Sequence, residues 1–305
     1  MLMADNPGLR YLYAATLCLS ILVLSNACEE KPTKEVIGLE TVYRTQCDMA
    51  PDGHTIAAAW SGEPSIRPWG LYLIDTLGWS IEPLFVPNNG VTNFSSPSWS
   101  PDGEWLAFGY GIQIFKIKRN GDSLTQLTDF GEQFYCDWSP ADTAIISVVA
   151  VGAQAGTWIY DKSGNNARPL ILSGNNAIFV GSDTVLYSRN KPSNMRDSAQ
   201  LLVRNILDGG ERLLFEWHKG EPYLSYYLPE ISPNHQRLVA SADGYIVSLS
   251  MEGDDLRVLT SSWCFYPAWS TDGSKIIFNY DPIHGEGSLW IMKADGTDKR
   301  QIPGW

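Results

Sequence analysis

This chain repeats one short motif. Trp-Ser-Pro-Asp-Gly stands in full at Trp99-Ser100-Pro101-Asp102-Gly103. Trp138-Ser139-Pro140 and Trp269-Ser270-Thr271-Asp272-Gly273 are close copies. Met49-Ala50-Pro51-Asp52-Gly53 and Ile231-Ser232-Pro233-Asn234 are looser ones, and Phe179-Val180-Gly181 is a decayed sixth. A chain with a fixed internal period must fold as an array of like units, each leaning on its neighbours.

Positions around the motif keep step. Five residues after each Pro-equivalent anchor come Ile56, Leu106, Ile145, Leu186, Leu238 and Ile276. Glycines at 78, 121, 164, 209, 253 and 296 form a second register, about 44 residues apart. Most follow Asn, Asp or Ser, the pairs that supply the positive φ of a tight hairpin. An aliphatic follows each: Leu84, Leu127, Leu170, Leu214, Leu259 and Ile302.

Each unit therefore reads as four strands, A to D. Strand A runs into the Pro-Asp-Gly turn, strand B carries the aliphatic, strand C is short, and a Gly turn leads to D. Pro83 and Pro169 fall in D strands, which suits an outer edge where no ladder donor is needed. The expected fold is all-β: a six-bladed β-propeller of four-stranded antiparallel blades. These residues resemble the WD-like repeats of the TolB-type propeller family over roughly residues 43–302. The resemblance implies a propeller that binds protein. TolB carries an α/β domain before its propeller, and the resemblance here is to the propeller alone.

The first residues read differently. Arg10 precedes an apolar run from Tyr11 to Leu24, shorter than the roughly 20 residues a bilayer span needs. Ser25, Asn26 and Ala27 then lead to Cys28. This resembles the lipobox of bacterial lipoproteins, which implies cleavage after residue 27 and a lipid on Cys28. An ordinary cleaved signal peptide and a short uncleaved anchor are the alternatives. The expected division is a lipoprotein signal at 1–27, a tether and possible closing strand at 28–42, and the propeller at 43–305. The expected location is a bacterial cell envelope, lipid-anchored at the outer membrane and facing the periplasm, with membrane contact only through the lipid.

Charge narrows the partners. Lys and Arg total 22 against 34 Asp and Glu, a net charge of -12, so polyanions such as nucleic acid are repelled. In an oxidising compartment Cys47, Cys136 and Cys264 allow at most one disulfide, and three small buried residues is the simpler reading.

Function is expected on the face that carries the variable D–A and B–C loops, opposite the tight turns. The D–A segments contribute Phe94, Phe130, Phe134, Tyr135, Trp217, Tyr223, Tyr226, Tyr227, Trp263, Phe265 and Tyr266, and the first B–C loop adds Arg67 and Trp69. Aromatics with a few charges are typical of recognition surfaces, and equally of packing between blades. Three residues before the anchors, Asp48, Asp137 and Glu230 alternate with Ser98, Ile178 and Ala268. If that position faces the axis, three carboxylates converge. Such oxygens either sit solvated in a pore or hold a hard cation such as Ca²⁺.

No histidine pair has metal-ligand spacing, and no Gly-x-Ser-x-Gly elbow occurs. The expectation is a monomeric, non-enzymatic propeller without cofactor or resident metal, whose partner is an envelope protein or lipoprotein. A glycan- or peptide-binding sensor is the first alternative, and a propeller hydrolase or polysaccharide lyase the second.

Overall fold

The computed structural model describes residues 45–61, 64–91, 93–150, 154–172, 175–190, 198–218, 227–242, 244–261, 263–282 and 287–305. The signal run, Cys28 and the possible closing strand lie outside the described residues. Blade 1 holds β1 (Gln46–Met49), β2 (Thr55–Trp60), β3 (Gly70–Asp75) and β4 (Ser80–Phe85). Blade 2 holds β5 (Phe94–Trp99), β6 (Trp105–Tyr110), β7 (Gln113–Lys118) and β8 (Thr125–Gln126). Blade 3 holds β9 (Gln133–Trp138), β10 (Ala144–Val149), β11 (Gly156–Asp161) and β12 (Arg168–Ile171). Blade 4 holds β13 (Asn175–Gly181), β14 (Thr184–Asn190), β15 (Ser198–Asn205) and β16 (Glu211–His218). Blade 5 holds β17 (Tyr227–Ile231), β18 (Arg237–Ala242), β19 (Tyr245–Ser250) and β20 (Arg257–Val258). Blade 6 holds β21 (Cys264–Trp269), β22 (Lys275–Tyr280), β23 (Ser288–Lys293) and β24 (Arg300–Gln301).

Each blade is a four-stranded antiparallel sheet in chain order. The first strands touch one another in succession and β21 touches β1, which closes a six-bladed β-propeller. Burial follows from that ring. β2 is buried at every position, as a strand covered by neighbouring blades on both faces must be. β4 has no buried position and carries Pro83, as an outer edge allows.

The core is distributed. Six clusters of buried side chains each join two adjacent blades. The B-strand aliphatics Ile56, Leu106, Ile145, Leu186, Leu238 and Ile276 are all buried within them.

The repeat motif is a turn-closing device. Ser100 Oγ donates to Asp102 Oδ1 at 2.6 Å and accepts the Trp105 amide at 2.9 Å. Ser270 repeats this with Asp272 at 2.7 Å and Lys275 at 2.9 Å, and Ser232 uses Asn234 and Arg237. The second register works between blades. Gly253 has φ +88°, and a Cβ there would lie 1.9 Å from the Leu214 carbonyl of blade 4. Only glycine satisfies both demands.

Four of the innermost strands, β5, β9, β13 and β21, share a bulge five residues before the anchor. Ser96, Tyr135, Asn176 and Tyr266 take φ of 43°, 52°, 54° and 51°, where the ladder register shifts. A bulge bends the strand and re-aims its side chains. Because these strands begin so far ahead of the Pro anchor, several aromatics expected in D–A loops belong to strands instead.

Candidate functional site

The inner strands surround an axial cavity of about 240 Å³, and Asp48, Asp137 and Glu230 all line it. The side chain three places before each anchor bridges to the next blade. Asp48 Oδ2 accepts the Trp99 amide at 2.8 Å, and Asp137 Oδ2 accepts the Phe179 amide at 2.6 Å. Glu230 Oε2 accepts the Trp269 amide at 3.2 Å. Ser98 Oγ does the same for Trp138 at 3.0 Å and donates toward Asp137 Oδ1 at 3.3 Å. Ile178 and Ala268 cannot accept a hydrogen bond, so two junctions lack this bridge.

The carboxylates are half-buried, and what remains accessible faces the narrow cavity. Burial is the main cause of a raised pKa at all three, and it outweighs the amide bonds that favour the ionised form. Mutual repulsion adds to the rise at Asp48 and Glu230. Asp137 is pushed up to about 6. Cys47 and Cys136 belong to the same wall, and burial pushes both thiols up. Cys47, Cys136 and Cys264 are buried and are not joined in disulfides. Among the described residues no three His, Cys, Asp or Glu come together closely enough to hold a metal ion. The carboxylates share a cavity without forming a coordination cage.

The aromatics divide into groups. Trp263 is 41% exposed and sits at φ +70°, an uncommon pairing for a large ring. Trp69, Phe130, Phe134 and Tyr135 are half-buried, and Phe130 packs 4.7 Å from Trp158. Phe94, Phe265 and Tyr266 are buried, which corrects their expected place on a binding surface. They lie in β5 and β21 rather than in loops, and Phe94 packs on Phe85 and Tyr110. Trp217 and Tyr227 fall on β16 and β17, but their side chains, with Tyr223 and Tyr226, lie outside what the structure describes.

Arg67 serves the ring itself. Its guanidinium lies over the rings of Trp305 and Tyr72, and it donates to Gly304. Trp305 packs edge-on to Trp60 at 5.7 Å and joins the cluster between blades 6 and 1. Two contributors escaped sequence reasoning. Trp158 lies outside the D–A segments, yet a period of strand C would have pointed to it. His235 lines the cavity from a turn assigned to the opposite face.

No protein-family model and no curated protein matches the sequence. Solved structures do match by shape. A protein of Agrobacterium tumefaciens described as TolB superposes with a TM-score of 0.61 at 14% identity, over 85% of this chain and 88% of that one. TolB from Acinetobacter baumannii gives 0.59 at 14% identity, over 86% of this chain and 63% of that one. An oligogalacturonate lyase from Vibrio parahaemolyticus gives 0.54 at 10% identity, over 80% and 75%. At these identities the likeness is one of fold: the chain is a six-bladed β-propeller of the shape found in TolB.

Proposed function

We propose that this protein is a non-enzymatic binding propeller of a bacterial envelope, held by a lipid on Cys28, that captures an envelope protein through its loop face. The observation that carries this reading is Trp263, an exposed indole held at positive φ on that face. Large exposed rings on a rigid scaffold are what binding hot spots are made from. Phe130 adds a half-buried ring from another D–A segment, while Phe134 and Tyr135 are half-buried near the start of β9 and Trp69 packs against the clusters beside blade 1. The likeness to TolB supports a propeller used for protein contact.

The likeness to the Vibrio lyase favours a second reading, cleavage of a polyuronide. The cavity counts against it, because three carboxylates there would repel a polyanion.

Affinity capture from detergent-solubilised membranes tests the proposal. Wild-type chain is expected to retain a protein that a folded Trp263→Ala, Phe130→Ala variant loses. Equal capture by both would refute the loop-face reading. Intact mass of the membrane form beside Cys28→Ala tests the lipid, which is expected only on the wild-type chain.

A further inference from the structure

Three carboxylates meet in one cavity, and no Lys or Arg among the described residues lines it. The titratable groups facing it are Asp48 and Cys47 from β1, Asp137 and Cys136 from β9, and Glu230 from β17. Tyr266 of β21 and His235 of the turn after β17 complete the set. β5 and β13 bring Ser96, Ser98, Ile178 and Phe179, none of which can offset the charge.

Each carboxylate also ties two blades together through an amide of its neighbour. It cannot swing away from the other two without giving up that bond. Protonation removes the charge and leaves the carbonyl oxygen as an acceptor, so the bridge outlasts the repulsion.

We propose that the axial cavity is a proton-loaded brace: as the medium turns mildly acidic, Asp48, Asp137 and Glu230 take up protons from solvent and the ring closes more firmly. The raised pKa values agree with this. A carboxyl whose folded pKa lies above its unfolded value stabilises the fold at low pH and loses that contribution as pH rises through the folded value. Cys47 and Cys136, pushed upward, stay protonated and neutral throughout.

Thermal unfolding of the full chain between pH 7.5 and 5.5 tests the brace. Tm is expected to rise by about 5 °C or more on acidification. Asp137→Asn with Glu230→Gln is expected to raise Tm at pH 7.5 and to remove at least half of the slope. His235→Gln is expected to keep the slope, which separates the imidazole from the carboxyls. A flat or falling wild-type curve, or a full slope in the double variant, would overturn the proposal. If the double variant does not fold, infrared spectra of wild type decide. A protonated-carboxyl band at pH 6 is expected, and its absence would overturn it.

Discussion

The Arg67 guanidinium carbon lies 4.2 Å from the centre of the Trp305 indole, and Arg67 Nη2 donates to the Gly304 carbonyl at 2.7 Å. These contacts join blade 1 to the chain beyond β24, at one of the two junctions that lack the side-chain bridge. Trp60 Nε1 donates to the Arg67 carbonyl at 2.8 Å and holds the loop in place. Arg67→Ala is expected to cost about 1–2 kcal/mol, from a lost cation–π contact and a lost hydrogen bond. Trp305→Ala is expected to cost about 3–5 kcal/mol. Guanidinium unfolding of both and of the double variant should reveal coupling, since the residues touch. Strict additivity would deny the clasp.

Gly253→Ala should be among the most damaging single changes. The new methyl would meet the Leu214 carbonyl at 1.9 Å, on a backbone at φ +88°. A loss of about 3 kcal/mol or more is expected, measured by urea unfolding. Gly90→Ala is the control, because its φ is +77° but nothing lies within 4 Å.

Ser100→Ala should cost about 1–3 kcal/mol, since it leaves the Trp105 amide without its side-chain acceptor and Asp102 with the Glu104 amide but no hydroxyl donor. Ser270→Ala should behave alike in blade 6, where Asp272 and Lys275 take the same parts. A change under a few tenths of a kcal/mol at both sites would show that the backbone turn stands without the serine.

The three thiols should be inert in the folded protein. Cys47, Cys136 and Cys264 are buried, and burial pushes each thiol up, which suppresses the reactive thiolate. Alkylation is expected only after unfolding, and mass analysis is expected to find no disulfide among them. Rapid labelling of native protein would contradict the packing seen around them.

Strong acid should act opposite to mild acid. Hydrogen bonds from Ser270 and Ser274 hold Asp272 down to about 2. Burial opposes ionisation of Glu211, yet Arg189, Tyr187 and Arg204 outweigh it and bring that group to about 2. Groups with depressed pKa stabilise the fold above their unfolded value and lose that contribution as pH falls through the folded one. Stability should therefore peak near about pH 5 and fall steeply toward pH 2. Glu211→Gln should lower the peak modestly, since solvent screens the ion pairs of an exposed carboxylate.

The sequence made the blades legible because their turns impose local demands. Gly121, Gly164, Gly209, Gly253 and Gly296 all take positive φ. Gly78 does not, since Trp79 takes the positive φ in that turn instead. The row of Asp48, Asp137 and Glu230 was legible for the same reason: a fixed offset from a fixed turn gives a fixed direction. Its purpose was not, because the accepting bonds run to Trp99, Phe179 and Trp269 in the following blade, about 40 to 50 residues away. Arg67 was misjudged likewise. Nothing near residue 67 announces a partner 237 positions along the chain. Phe94, Phe265 and Tyr266 look like loop aromatics until the inner strand is seen to begin before its bulge.

Six buried clusters lie between blades, and the small seventh, Phe265 with Tyr266, stays within blade 6. Such a ring inherits by the repeat but folds by the pair. A blade cut free would bare both faces to water, so the smallest fragment with an intact interior interface is two neighbours. A duplicated blade could join the ring by reproducing one pairwise fit twice, with no change to distant interfaces. The axis alone would register the insertion, by widening and drawing the three carboxyls apart.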